Sequence, residues 1–194
     1  INRSNPLMLG FPIWSLDKFT QILINNFYTI ILVEQITEPP NCKRDVTKII
    51  SPGTTLTTNN NSSSNNSNNL MCIYIDIVVN AQKYKKQMYI GNSVIDVSTG
   101  KNTIYETYSI KNNDDYTYPL DETYRFIQTY DPSEIIIVVN NKTETDCLKK
   151  DYLIQYLELS NKMVHYFDTP NKDYLSINFQ SKLLEKLFKN NTSL

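Results

Sequence analysis

Glycine is scarce in this chain of 194 residues, with four in all: Gly10, Gly53, Gly91 and Gly100. A phosphate loop of the Gly-x4-Gly-Lys-Ser/Thr type has no place here, because no two of these glycines stand at its spacing. Cysteine and histidine are scarcer still. Cys42, Cys72 and Cys147 are odd in number and widely spaced, and His165 is the single histidine, so zinc chemistry and a disulfide framework both lack their residues. Neither sign of charge dominates: the formal net charge is -1, which argues against the strongly basic face of a self-sufficient DNA-binding module. No apolar run reaches the ~18 residues of a membrane span, and Ile1 to Pro6 has no basic-then-apolar signal pattern. An intracellular, reduced setting without a membrane is the expectation. The chain does not open on methionine, and Asn2 to Met8 reads as the middle of a segment, so a piece of a longer protein is also expected. The sequons Asn141-Lys-Thr143 and Asn191-Thr-Ser193 are what an Asn/Ser/Thr-rich composition produces by chance, and are read as unmodified.

What is present divides into two units and a tract between them. In the first, Ser15 N-caps a helix to about Phe27, with Asp17 in its first turn and Leu16, Phe19, Ile22, Leu23 and Phe27 on one buried face. Tyr28 to Ile36 is apolar throughout and reads as a strand buried on both faces. After the breaker Glu38-Pro-Pro-Asn41, a strand from Val46 to Ile50 stops at Ser51-Pro52-Gly53-Thr54, where Pro52 presets φ and Gly53 is expected to supply φ > 0. From Thr54 to Asn69 the composition collapses to Thr, Asn and Ser, which cannot bury enough area to offset ordering entropy, so a flexible linker is predicted over 57–69.

The second unit, 70–194, opens with three strands, Leu70–Val79, Gln87–Val97 and Thr103–Ile110, expected as an antiparallel meander. A helix capped by Asp121 follows, then the turn Asp131-Pro132-Ser-Glu134 and a buried strand Ile135–Val139. A helix over about 146–160 with Leu148, Tyr152, Tyr156 and Leu159 on one face, a strand Met163–Phe167, and an amphipathic helix from about Asn178 to Lys189 complete it. The last helix is expected to turn Phe179, Leu183, Leu184, Leu187 and Phe188 inward.

Three ordered pieces carry a resemblance: Gly10-Phe-Pro12-Ile-Trp-Ser-Leu16, Ile30-Ile-Leu-Val-Glu34-Gln35, and Arg44 to Pro52-Gly53-Thr54. Together they resemble the second half of the mismatch-recognition domain of the MutS family of DNA mismatch-repair proteins. Gly91-x4-Asp96-x-Ser-Thr-Gly100 and Tyr124 to Asp131-Pro132-Ser-Glu134 resemble that family's connector domain, whose fold is α/β and ribonuclease-H-like. The resemblance implies residues 1–56 as the end of the recognition domain and 70–194 as the connector. Gly10, Pro12, Glu34, Gln35, Pro52, Gly53, Thr54, Asp96, Gly100, Pro132 and Glu134 are then structural motif residues. It also implies mismatched double-stranded DNA, a MutL-type protein and a MutS-like dimer partner for the whole protein, with ATP and Mg²⁺ bound outside this segment.

The family's mismatch-reading Phe-x-Glu has no counterpart here: Phe11, Phe19 and Phe27 lack the glutamate and read as core rings. No catalysis is expected from the segment. Lys43, Arg44 and Lys48 are candidates for sequence-independent phosphate contacts, while Lys83, Lys85 and Lys86 read as a solvated surface. The alternatives are a ribonuclease-H-like nuclease and a free-standing interaction module. The nuclease would need Asp76, on the first connector strand, to bind Mg²⁺ with Asp96 or Glu134.

Overall fold

A computed structural model describes residues 10–55, 68–80, 85–109, 115–140 and 145–188. The chain is mixed α/β and builds two sheets. The first is small. A 3-10 turn, Ile13–Ser15, leads into helix α1 (Leu16–Asn25), and strands β1 (Ile30–Gln35) and β2 (Arg44–Ile50) pair antiparallel with a register shift between Leu32 and Val33.

Four expectations fail in this unit. Ser15 makes no side-chain capping bond; it closes the 3-10 turn, its amide donating to the Pro12 carbonyl at 2.9 Å, and is itself buried. The helix ends at Asn25, and Phe27 takes a left-handed φ of 62° in the turn beyond it. The predicted apolar face lies open: Phe19, Ile22, Leu23 and Phe27 are exposed, while Thr20 and Ile24 are the buried pair. Nor is β1 buried on both faces, since it pairs with β2 alone and Ile31 and Val33 stand in solvent. Amphipathicity says which face requires cover; among the described residues nothing supplies it.

The second sheet has five strands in the order β5-β4-β3-β6-β7. β3 (Asn69–Asn80), β4 (Lys85–Asp96) and β5 (Asn102–Tyr108) form the expected antiparallel meander. β6 (Glu134–Asn140) and β7 (Met163–Phe167) then join parallel to β3. Helix α2 (Tyr118–Tyr130) begins before Asp121, because Thr117 is its cap residue and Pro119 occupies the first turn, where a missing N–H costs nothing. It ends at Asp131, in a left-handed conformation with φ 41°, whose amide still reaches the Ile127 carbonyl.

The predicted helix over 146–160 is shorter and broken: a 3-10 turn, Asp146–Leu148, precedes helix α3 (Lys150–Tyr156). Leu148 and Leu159 are buried as expected, but Leu153 and Leu157 take the places assigned to Tyr152 and Tyr156, and Tyr152 is exposed. These helices cover one face of the sheet. Ile73, Ile75 and Ile77 of β3, Met88, Ile90 and Val94 of β4 and Ile135, Ile137 and Val139 of β6 meet Leu120 and Ile127 of α2 and Leu148, Leu153 and Leu157 around α3 in one core.

Helix α4 (Ile177–Phe188) does not turn inward. It packs against the 3-10 turn Lys172–Leu175, with the Tyr174 and Phe179 rings 5.5 Å apart, and Leu183 and Leu184 remain exposed. The predicted tract overlaps the second sheet by one residue, Asn69. Asn68 Nδ2 donates to the Thr55 carbonyl at 2.6 Å, so the chain on either side of 56–67 is tied together. Most of the tract, Lys83, Ile110 and both sequons lie outside the described residues.

Candidate functional site: the junction between the sheets

Where β2 ends, the chain turns sharply. The Ser51 carbonyl accepts from the Thr54 and Thr55 amides at 3.1 Å each, and the Ser51 amide donates to Thr54 Oγ1 at 2.9 Å. Pro52 sits within this turn. Gly53 does not take the positive φ that the Pro-Gly pattern predicts; among the described glycines only Gly100, at 73°, does so. Close approach explains the glycine instead. A Cβ on Gly53 would fall 2.7 Å from Glu134 Cβ, 2.8 Å from Glu134 Oε2 and 3.2 Å from a Leu70 methyl. Only a residue with no side chain lets the turn lie this tightly on the first residues of β3 and β6.

Glu134 fills the contact. Its Oε2 accepts from Ser51 Oγ at 2.6 Å and from the Gly53 amide at 2.9 Å, and its Oε1 meets His165 Nε2 of β7 at 2.7 Å. The carboxylate is buried, and burial by itself pushes its pKa up. The Ser51 hydroxyl, the Gly53 amide and His165 together outweigh that cost and hold it below the usual glutamate range. One carboxylate thus joins three parts of the chain: the turn after β2, the start of β6, and β7.

The other predicted motif residues serve local geometry. Asp96 accepts from the Ser98 amide and hydroxyl and from Thr99 Oγ1, while its carbonyl takes the Gly100 amide at 2.7 Å, closing the β4–β5 turn. Those hydroxyl bonds hold the Asp96 pKa below its ordinary value. Pro132 follows the left-handed Asp131 and leads into β6. Glu34 and Gln35 pair with Asp45 and Arg44 across the hairpin, and Gly10 and Pro12 lie exposed before α1.

Lys43, Arg44 and Lys48 are all exposed along the outer strand β2 and the residue before it. Lys86 stands apart from them, with its ammonium 5.8 Å from the Tyr116 ring centre. The phenylalanines read as core rings behave otherwise: Phe11, Phe19 and Phe27 are exposed, Phe11 and Phe19 with ring centres 4.5 Å apart. Cys42 is exposed and Cys147 buried, where burial raises the thiol pKa.

Asp76 does not meet the carboxylates that the nuclease alternative requires. Its Oδ2 accepts from Asn140 Nδ2 at 3.0 Å. Glu134 pairs with Leu70 and Asp96 with Asn69, at the far end of β3, roughly 20 Å along the strand. Among the described residues, no three acidic, histidine or cysteine side chains are placed to hold a metal ion. The Glu134–His165 pair is what sequence reasoning missed. Its partners lie on adjacent parallel strands, and only the strand register brings them together.

Residues 2–59 match the family model of MutS domain I. A protein of Acanthamoeba polyphaga mimivirus named as a DNA mismatch repair protein mutS homologue is 30% identical over 201 residues, covering 97% of this chain and 17% of its own length. The chain belongs to the MutS family. The MutS proteins of Thermodesulfovibrio yellowstonii, 29% identical over 78% of this chain, and of Staphylococcus aureus, 30% identical over 76%, extend the match beyond the first sheet. The MutS-like chain spans 15–17% of the length of these relatives. Within it, the domain I match runs past the Ser51–Thr54 turn, and Glu134, the acceptor for that turn, lies outside the match. Among the described residues no helix is long and apolar enough to cross a membrane.

Proposed function

We propose that this chain is the part of a mismatch-binding MutS-like protein in which the end of the recognition domain, 1–56, is coupled to a ribonuclease-H-like connector, 70–194, across the tract at 57–69. The observation that carries this reading is the Glu134 clamp on the Ser51–Gly53 turn. A buried charge-assisted contact of this kind transmits displacement, because breaking it strands a carboxylate out of water. The sheet order, three antiparallel strands and then two parallel ones joined through helices, supports the ribonuclease-H-like reading. The segment itself does no chemistry. In the whole protein, mismatched double-stranded DNA is bound by the recognition domain, with Arg44, Lys48 and Lys43 adding phosphate contacts. A second MutS-like subunit and a MutL-type protein are partners, and ATP with Mg²⁺ is held elsewhere in the polypeptide.

The test uses the full-length protein carrying this sequence. Binding to a duplex with one mismatch and to its matched counterpart is followed by fluorescence anisotropy, and mismatch-triggered nucleotide exchange by stopped flow. The wild type is expected to prefer the mismatch. Ser51→Ala with Glu134→Ala is expected to keep that preference while reducing the effect of mismatch on exchange by about tenfold, a coupling loss of about 1.4 kcal/mol. A wild type blind to mismatches refutes the recognition reading; a double variant that couples as well as wild type refutes the clamp.

A further inference from the structure

Strand β4 places one carboxamide in a position where the rest of its inner face is apolar. Asn92 lies between Ile90 and Val94 on the face that α2 covers, and it is 1% exposed. Its Nδ2 donates to Thr123 Oγ1 of α2 at 3.2 Å, and that hydroxyl donates in turn to the Pro119 carbonyl at 2.9 Å. The Thr123 proton is therefore spent within the helix, and its oxygen needs a donor. This requirement fixes the orientation of the amide: Nδ2 meets Thr123, and Oδ1 points elsewhere. Among the described residues Asn92 Oδ1 has no hydrogen-bond partner. A buried acceptor of this kind has given up the hydration it had in the unfolded chain, so it calls for a donor of its own.

The strand registers say on which side that donor can stand. On β3, Asn92 is opposite Ile73, which is fully buried and has no polar side-chain atom to offer. On β5 it is opposite Tyr105, and Thr107 follows on the same face, opposite Ile90. Tyr105 directs its hydroxyl to Glu122 Oε2 at 3.4 Å and stacks on Phe126 with ring centres 5.6 Å apart, so it walls this side without serving Asn92. Thr107 is buried beside it. Across the diagonal of the ladder its Cα stands about 7–8 Å from that of Asn92, with both side chains rising from the same face. No direct bond joins Thr107 to Asn92 Oδ1. A water making two bonds of about 2.8 Å links oxygens up to about 5.6 Å apart, and a buried water needs only two to four polar partners.

We propose that Asn92 and Thr107 hold one ordered water beneath α2, which donates to Asn92 Oδ1 and bonds Thr107 Oγ1. The polar relay then runs unbroken from Thr107 on β5, through the water and Asn92 on β4, to Thr123 and the Pro119 carbonyl in the first turns of the helix. A fully satisfied buried relay rigidifies its surroundings, and this one pins α2 to the β4–β5 pair. Helix α2 leads through Asp131 to Glu134 at the start of β6, so the seat of the helix also bears on where the clamp's carboxylate begins.

Thr107→Val tests the site, because it keeps the shape of the side chain and removes only the hydroxyl. In the ¹⁵N-labelled 194-residue chain, the Asn92 side-chain amide protons are expected to show a nuclear Overhauser effect from water, with the sign of a molecule that tumbles with the protein. The effect is expected to be lost in Thr107→Val. Thermal unfolding separates a wet site from a dry one by its sign. Deleting a hydroxyl that serves nothing is neutral or stabilising, whereas deleting the anchor of a water that serves Asn92 should lower the midpoint by about 2–4 °C. A crystal structure of the wild-type chain should place one water within about 3.2 Å of both oxygens. A wild type that shows no such effect, an effect that survives Thr107→Val, or a midpoint that stays level or rises would each overturn the proposal. A crystal structure with no water between the two oxygens overturns it as well.

Discussion

Replacing Gly53 by alanine tests the junction at its tightest point. The added methyl would sit 2.7 Å from Glu134 Cβ and 2.8 Å from Oε2. Glu134 Cβ is fixed by the backbone of β6, which is paired on both sides, so the glutamate cannot swing clear as the end of a long side chain would. The turn must retreat instead. Retreat lengthens the 2.9 Å amide bond and the 2.6 Å Ser51 hydroxyl bond to a buried carboxylate. Hydrogen bonds to a charged group contribute about 1.5–3 kcal/mol each, and overpacking alone costs about 1–3 kcal/mol. Partial relaxation makes the sum less than additive, so the expected loss is about 2–4 kcal/mol. Urea unfolding followed by far-ultraviolet circular dichroism measures it as a lower midpoint at unchanged slope. Ser51→Ala, which removes the hydroxyl's bonds to Glu134 and Thr54 and adds no volume, should lose about half as much. A Gly53→Ala protein within about 0.5 kcal/mol of wild type, inside the range of ordinary surface substitutions, would refute the close-approach argument.

Acid should loosen the junction in a defined direction. Glu134 titrates lower in the folded chain than in the unfolded one, so its contribution is present above the unfolded glutamate value of about 4.3 and is lost as pH falls through the folded value. Thermal midpoints measured from pH 7 down to pH 3 should therefore fall more steeply in wild type than in Glu134→Gln, and parallel curves would contradict this. At the alkaline end, burial and the Cys147 contact push Tyr116 up to about 12, and the Asp121 hydrogen bond with burial does the same for Tyr156. Both tyrosines bind their protons more tightly when folded, so their contribution is lost as pH rises from about 10 towards 12. Ultraviolet titration of Tyr156→Phe should lack one late component; an unchanged curve would place that phenol in solvent. In the full-length protein, Arg44→Ala with Lys48→Ala should weaken matched and mismatched DNA alike and lower the salt slope by up to about 2, and a loss confined to mismatched DNA would contradict a phosphate role.

The strands of the second sheet could be read from the sequence because their pattern is local. Ile73, Ile75 and Ile77 alternate with Tyr74 and Asp76, so one face declares itself apolar and the other mixed. The meander followed from short polar turns. Burial in α1 and α4 could not be read in the same way. Their spacing correctly indicates helices with an apolar side, but whether that side is covered depends on partners that no window of sequence contains. The Pro52-Gly53 pair shows the same limit on a smaller scale: turn chemistry located the turn, while the reason for the glycine lay in Glu134, 81 residues further along. Glu134 and His165 meet only because β6 and β7 run parallel in one particular register.

The hydrogen bond from Asn68 to the Thr55 carbonyl has a consequence for how the gene can vary. Thr55 and Asn68 are joined directly to one another, so the number of residues between them does not enter the geometry of the described chain on either side. Doubling the length of a flexible connection between two fixed ends adds only about 0.6 kcal/mol of closure entropy. Repeats of asparagine and serine codons can therefore expand or contract there by whole codons almost unopposed. The same stem is where a reporter domain could be spliced in while Ser51 and Glu134 stay in contact.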